Sequence, residues 1–491
     1  TCHPSVVSAL CFWEHVFPTF GDGVADTAHV VADGVVAVGE GDMEEDCVSS
    51  AGDSGGFIEE PPMSDCDSEL PLFNSAAVLE NGEQVAEIHK SLLPSYDVFD
   101  EDRYFEHGTT RGPVVVAGHR IGITICEDIW SSPEHWNTVR YPVDPCAELA
   151  SQGVDLFVNI SASPFTLGKS EIRREIVSRK ARDHQVPTVY VNQVGAHDEL
   201  IFDGRSMVLN AQGERITELA AFEEEVAVVS LDSTEDMNHK NKRTEENELY
   251  QALVLGVRDY VRKSGFKDVV LGLSGGIDSA LVSKICALTG KQTIVTTLPI
   301  KSLDISLSLL HCKQLVQEHP NVSHYEIDLS DMYDNFKDGF KNLGFSSDLG
   351  LANTKARMRM IALYQIAAST SGIVVGTGNK VEDFGVGFYT KYGDGGVDIS
   401  PIADLTKSEV RSLATYLNIH QDIINAPPTD GLWEDGRNDE DQLGLSYEEI
   451  EEAMLNPNSK HHQRYAEIRQ GNLHKMNPIP VCIVDEKIKS S

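Results

Sequence analysis

Ser274-Gly275-Gly276-Ile277-Asp278-Ser279 lies between the apolar run Val269-Val270-Leu271-Gly272-Leu273 and Ala280-Leu281-Val282. A buried parallel strand that ends in a glycine turn and reopens as a helix leaves its first amide N–H groups without intrahelical partners. With the positive end of the helix dipole behind them, those donors suit an anionic pyrophosphate. Gly275 and Gly276 let the backbone approach phosphate closely, and Ser274 and Ser279 can add hydroxyl donors. Asp278 is poor for phosphate but good for Mg²⁺, which bridges carboxylate and phosphate oxygens. No lysine follows the glycines, so this is not a Walker A loop. The competing reading is an ordinary glycine turn between strand and helix.

Further residues of the same chemistry follow. Asn353-Thr354-Lys355-Ala356-Arg357-Met358-Arg359 offers cations suited to phosphate or carboxylate oxygens. Val375-Gly376-Thr377-Gly378-Asn379-Lys380 is a second strand-to-loop phosphate or ribose site, with Glu382 and Asp383 beyond it as candidate Mg²⁺ ligands. Lys391-Tyr392-Gly393-Asp394-Gly395-Gly396-Val397-Asp398 is a glycine-rich loop carrying Lys and Asp, and Lys407 follows. Any one of these could be a solvated loop or helix; in this order they converge on one strand edge. Earlier in the chain, Cys126 ends Gly122-Ile123-Thr124-Ile125 where Glu127-Asp128-Ile129-Trp130 begins a helix. A helix N-terminus favours the thiolate there, which can attack an amide carbonyl; the alternative is a buried structural cysteine. Lys90 also sits at a strand end.

The elements that must position these residues alternate. The segments 76–79 and 85–88 read as a hairpin around Asn81-Gly82. Short buried strands follow at 114–116, 121–125, 156–160 and 188–191, with a helix at 169–184, and 216–231 reads as a final strand pair. After them come a helix near 248–264, strands at 268–273, 293–297, 325–328 and 373–376, and helices at 304–318 and 353–370. Such alternation predicts an α/β chain with a doubly wound parallel sheet that binds ligand at the carboxyl ends of its strands.

At 491 residues, the chain should form two or three domains. The expected division is an atypical acidic leader at 1–70, a first catalytic unit at 71–232, a linker at 233–247 and a second unit at 248–491. No Lys or Arg occurs before Lys90, while 18 acidic residues do. The leader should be poorly ordered or an incomplete start, unless Val30-Val31 and Val35-Val36-Ala37-Val38 are remnants of a genuine first strand and helix. The 9 cysteines are scattered without a C-x-x-C pair, which argues for a reducing compartment, hence the cytoplasm, and against a disulfide framework or structural zinc. A net charge of -37 disfavours nucleic acid and anionic membrane, and no apolar run is long enough to span a bilayer.

The glycine loop resembles the pyrophosphate loop of ATP-cleaving adenylyl-transferring synthetases. From about 246 onward, the chain resembles the NAD synthetase family in S-G-G-I-D-S, N-x-x-A-R-x-R, G-T-G-N-K and F-Y-T-K-Y-G-D-G-G-V-D. Pro427-Pro428-Thr429, Asp439-Glu440-Asp441-Gln442-Leu443-Gly444 and His474-Lys475 add to the likeness. The resemblance implies a Rossmann-like fold of the PP-loop adenine nucleotide hydrolase kind, adenylylation of deamido-NAD by ATP, and displacement of AMP by ammonia. It puts ATP on Gly272, Leu273, Ser274, Gly275, Gly276, Ile277, Asp278 and Ser279, with Thr377, Lys407 and Thr429. It puts deamido-NAD on Arg357, Lys391, Asp398, His474 and Lys475, and Mg²⁺ on Asp278 and Glu382. The segment 381–388 is one residue longer than in the shorter family members, so Asp383 could replace Glu382. The family also implies a homo-oligomer formed through this domain.

From about Phe73 to Leu231, the sequence resembles nitrilase-type glutamine amidases. The likeness rests on Lys90 with Leu93-Pro94 and Tyr96, on 98–105, on C-E-D-I-W, and on Asn159-Ile160-Ser161-Ala162-Ser163-Pro164. It implies an αββα sandwich, Cys126 as nucleophile, Lys90 stabilising the oxyanion, and Tyr96, Ser163 and Lys169 holding glutamine. The family's general base is a carboxylate well upstream of the lysine. Glu14, Glu40, Glu44 and Glu45 all lack its expected surroundings. Glu127 is not a substitute, because it points differently from the nucleophile. The joint expectation is a glutamine-dependent NAD synthetase; the alternatives are an ammonia-dependent one with an impaired amidase, or a nucleotide-binding module without turnover.

Overall fold

The computed structural model describes residues 72–80, 83–96, 98–109, 112–131, 141–231, 244–301, 304–429, 431–433 and 438–482. It also gives the strand backbones Leu10–Phe12, Thr27–Val31, Val35–Val38 and Phe57–Ile58. The chain divides into two compact units, Thr1–Arg243 and Thr244–Ser491.

The first unit is built on a six-stranded sheet. Its order is Arg215–Glu218, Met207–Leu209, Thr188–Asn192, Leu156–Ser161, His119–Ile125 and Val114–Val116. The three central strands run parallel and are buried almost throughout, which explains why they are mostly apolar. On one face, Phe157, Tyr190 and Leu209 pack against Ile176, Val177 and Ala181 of the helix Lys169–His184 and Leu149 of the helix Pro145–Ser151. On the other, Ile121, Ile123, Val158 and Val191 meet Ala76, Val78 and Val229 from further strands. This is the sandwich layering expected from the resemblance.

Strands inside the acidic leader belong to that second layer. Leu10–Phe12 runs parallel to Asn74–Glu80, and Thr27–Val31 pairs antiparallel with both Val35–Val38 and Val226–Ser230. The expected terminal strand pair is not a pair. Arg215–Glu218 joins Met207–Leu209, whereas Val226–Ser230 joins Thr27–Val31 in a different sheet. Leu219, Ala221 and Phe222 between them are buried, so the chain crosses the core there instead of turning back in a hairpin.

The second unit carries a four-stranded, wholly parallel sheet ordered Val322–Glu326, Gln292–Thr297, Asp268–Gly272, Gly372–Val374. Alternate residues serve opposite faces. Val269, Leu271, Val295 and Ile373 pack with Leu281 and Ile285 of the helix Ile277–Leu288, while Val270, Ile294 and Val374 pack with Met360, Leu363 and Ala367 of the helix Asp348–Thr370. The strand order reverses between Asp268–Gly272 and Gly372–Val374, which creates the crevice where such sheets bind ligand.

Three element boundaries differ from expectation by three residues or more. The helix expected from 248 starts at Glu245, inside the expected linker, because Thr244 caps it by accepting from the Asn247 N–H and acids fill its first turn. The helix expected from 353 starts at Asp348 for the same reason, with Ser347 as its cap. The strand placed at 325–328 lies at Val322–Glu326. Among the described residues, no helix is long and apolar enough to cross a membrane.

Candidate active sites

In the second unit, the glycine turn folds as its residue types dictate. Gly275 takes a φ of +89°, and a Cβ there would come within 3.1 Å of Ser308 Oγ. Ser274 and Ser279 share a hydrogen bond (3.0 Å), Ser279 Oγ receives the Ser274 N–H, and Ser274 Oγ receives the Gly276 N–H. The serines therefore brace the turn that precedes the helix Ile277–Leu288. Asp278 lies in its first turn.

One ammonium ties this turn to two other segments. Lys407 Nζ donates to Asp278 Oδ2 at 2.5 Å and to Glu382 Oε1 at 2.9 Å. Lys407 opens the helix Lys407–Tyr416, and Glu382 lies on the π-helical turn Lys380–Val386 that follows the Gly-Thr-Gly loop. Asn379 Nδ2 donates to Asp278 Oδ1 (3.1 Å), while Asn379 Oδ1 accepts from the N–H groups of Val381 and Glu382. The Tyr447 hydroxyl donates to Glu382 Oε1 (2.5 Å). Burial raises the Asp278 carboxyl, and Lys407 pulls against it. Burial acts on Glu382 as well, but Lys407 and the Tyr447 hydroxyl outweigh it and hold that carboxyl low. Burial would lower Lys407, yet the two facing carboxylates raise it.

The two carboxylates thus face one another across a single cation, a donor set that fits an oxygen-ligated divalent metal. Asp383 is placed differently. It lies against Gly378, where a Cβ would fall 1.8 Å from its Oδ2, and burial with Asp394, Glu382 and Asp278 nearby raises its pKa well above the usual carboxylate range. The geometry therefore favours Glu382 over Asp383 as the partner of Asp278.

Arg357, Lys391, His474 and Lys475 form a second cluster in this unit. Arg357 Nε donates to Lys391 O (3.2 Å), Lys391 Nζ to His474 O (2.7 Å) and Lys475 Nζ to Tyr389 O (2.9 Å). Asp398 accepts from the Tyr364 hydroxyl and the Val374 N–H, both at 2.9 Å, and so anchors at the strand edge. Thr429 is exposed, and its Oγ1 accepts from the Gly431 N–H. Pro428 O accepts from Asp439 N–H and Glu440 from Tyr447 N–H, which connects that turn to the tyrosine on Glu382.

In the first unit, Cys126 has a φ of +46°, a left-handed conformation on the strand-to-helix turn that carries cost for a non-glycine residue. The expected low thiol pKa is not what the surroundings produce. Burial raises it, against the pull of the Lys90 charge and of the Ala162 N–H. Lys90 is 1% exposed and donates to both Glu101 oxygens, at 2.6 and 2.7 Å. Burial would lower Lys90, but Cys126 and Glu101 raise it, so it stays charged beside the thiol. Glu127 accepts from the hydroxyls of Tyr96 and Tyr141, which binds Tyr96 to the Cys126 turn. Ser163 is buried, with its N–H on Asn192 Oδ1, and Lys169 opens the helix Lys169–His184 half-buried. Glu14, Glu40, Glu44 and Glu45 lie outside the described residues.

The chain is 35% identical over 429 residues to the glutamine-dependent NAD(+) synthetase of Synechocystis sp., a match covering 85% of this chain and 76% of the relative. The chain belongs to the glutamine-dependent NAD(+) synthetase family. The Thermotoga maritima member is 34% identical, with 79% of this chain and 73% of that one covered. Residues 249–486 match the NAD synthase model and residues 53–236 the carbon-nitrogen hydrolase model. The glutamine-dependent NAD+ synthetase of Acinetobacter baumannii, solved with ADP, superposes with a TM-score of 0.68 at 27% identity, covering 87% of this chain and 81% of that one.

Against the glutamine-dependent NAD(+) synthetase resemblance read from sequence, three residues gain importance. Glu101 and Asp128 sit inside quoted motifs but show their roles only through contacts with Lys90 and its neighbours. Tyr447 has no sequence signal, since its hydroxyl reaches Glu382 across 65 positions.

Because the Lys90 charge lowers the Cys126 thiol pKa, Lys90→Met should slow alkylation of Cys126 by iodoacetamide at pH 8 by about tenfold. Peptide mass analysis of the labelled cysteine gives the rate, and an unchanged rate would contradict the coupling.

Proposed function

We propose that the second unit adenylylates deamido-NAD with ATP and amidates it to NAD, using ammonia that the first unit releases from glutamine. The reading is carried by Asp278 and Glu382, drawn onto one cation beside a glycine turn at the reversal point of the parallel sheet. In the first half-reaction, the nicotinate carboxylate attacks the α-phosphorus of ATP and pyrophosphate leaves. Gly272, Leu273, Ser274, Gly275, Gly276, Ile277 and Ser279 line the phosphates, with Thr377, Thr429 and Lys407 as further ATP contacts. The amides at the start of the helix Ile277–Leu288 stabilise charge on the leaving pyrophosphate. Asp278 and Glu382 would hold Mg²⁺, which supplies neutralisation of phosphate charge. Arg357, Lys391, Asp398, His474 and Lys475 orient deamido-NAD. Ammonia then attacks the acyl carbon, and AMP departs.

In the first unit, Cys126 Sγ attacks the glutamine carboxamide, Lys90 stabilises the oxyanion, and the C–N bond breaks to release ammonia. Water hydrolyses the thioester to glutamate and restores the thiol. Tyr96, Ser163 and Lys169 hold the amino acid. A cytoplasmic setting is supported by the free cysteines Cys126, Cys146, Cys286, Cys312 and Cys482 among the described residues.

A homo-oligomer through the second unit is supported by Met332, Phe336, Phe340, Leu343, Phe345 and Leu349, all exposed along and after the helix Ser330–Lys341. Phe340→Asp with Leu343→Asp should then shift sedimentation velocity toward the monomer, and a wild-type monomer would refute the assembly. For the chemistry, Cys126→Ala should abolish glutamine-supported NAD formation and leave the ammonium-supported rate within about twofold. Loss of both rates would contradict this division. A wild-type chain that uses only ammonium would instead establish an impaired amidase.

A further inference from the structure

Asp128 is 2% exposed and carries no part of the chemistry above. Its two oxygens reach in different directions along the chain. Oδ2 accepts from the Ile125 N–H (2.9 Å), immediately before the nucleophile. Oδ1 accepts from the N–H groups of Ser91 (3.0 Å) and Leu92 (2.8 Å), immediately after Lys90. The first contact is local and would occur at many strand-to-helix turns. The other two join segments 37 and 36 residues apart and have no such explanation.

We propose that Asp128 is a positioning residue for glutamine cleavage, clamping the Lys90 segment to the Cys126 turn so that ammonium and thiol meet the same carbonyl. The proposal rests on the amidase reading of the first unit. All three partners are backbone N–H donors, so the site demands a group that only accepts. An ionised carboxylate meets that demand; an amide would turn its own NH₂ against at least one donor. Burying a carboxylate is costly, and burial raises Asp128 to about 6 despite the three N–H groups. A neutral cap would have sufficed for the local turn alone. The strained φ at Cys126 adds to the need, since a left-handed nucleophile must be held by its surroundings.

The test compares Asp128→Asn and Asp128→Ala in the full chain. Slippage of the Lys90 segment by about 1 Å should lower glutamine-supported kcat by about 10²-fold. KM for glutamine should stay within about threefold and the ammonium-supported rate within about twofold. Iodoacetamide alkylation of Cys126 should slow, because the thiol loses its facing charge. Four results would overturn the proposal: wild-type kcat in both variants, a rise in KM that accounts for the loss, faster alkylation reporting a loosened unit, or equal loss of the ammonium-supported rate. Failure of the underlying reading looks different, because the wild-type chain itself would then release no glutamate from glutamine, and the proposal would fall with it.

Discussion

A single buried ammonium organises the second unit. Lys407 is 3% exposed, and its two carboxylate partners come from a helix start and a π-helical turn that meet nowhere in the sequence. Charges removed from water are tolerated only when paired and hydrogen-bonded, and deleting one partner of a buried pair typically costs 3–5 kcal/mol. Asn379 and Tyr447 fill further acceptor sites on the two carboxylates, so the network is nearly self-sufficient. It holds the glycine turn, the Gly-Thr-Gly loop and the helix Lys407–Tyr416 in one register. A divalent cation on the same carboxylates would need the ammonium to move.

The first unit repeats the device with different chemistry. Lys90 is as deeply buried as Lys407, and Glu101 holds it by both oxygens. Here the ammonium faces a thiol whose pKa burial raises, and its charge offsets part of that rise. Reactivity of Cys126 is therefore a property of the pair, and less of the helix N-terminus than its position in sequence suggests. Asp128 extends the same logic from charge to geometry by binding the backbone around both groups.

How much of this was legible in the sequence follows from the range of each interaction. The glycine turn, the central strands and the hairpin at 74–89 depend on neighbours a few residues away, and their positions were readable from pattern. Motif residues converged because a parallel sheet gathers its strand ends, so Asp278 and Lys407 meet across 129 positions of sequence. Partners that depend on side-chain direction were not readable. The choice of Glu382 over Asp383 is set by which carboxyl faces Lys407 and which faces Gly378, and no spacing rule decides that. Glu101, Asp128 and Tyr447 belong to the same class. The pairing of Val226–Ser230 with a strand near the start of the chain escaped because antiparallel partners far apart leave no local trace.

Adenylyl transfer at the glycine turn is the central claim. The most direct measurement is exchange of labelled pyrophosphate into ATP, with deamido-NAD and magnesium present and every nitrogen source removed. Label should enter ATP only when the pyridine acid dinucleotide is supplied, because the acyl-adenylate forms reversibly and waits for ammonia. Absence of exchange, in material that remains folded and binds ATP, would contradict it.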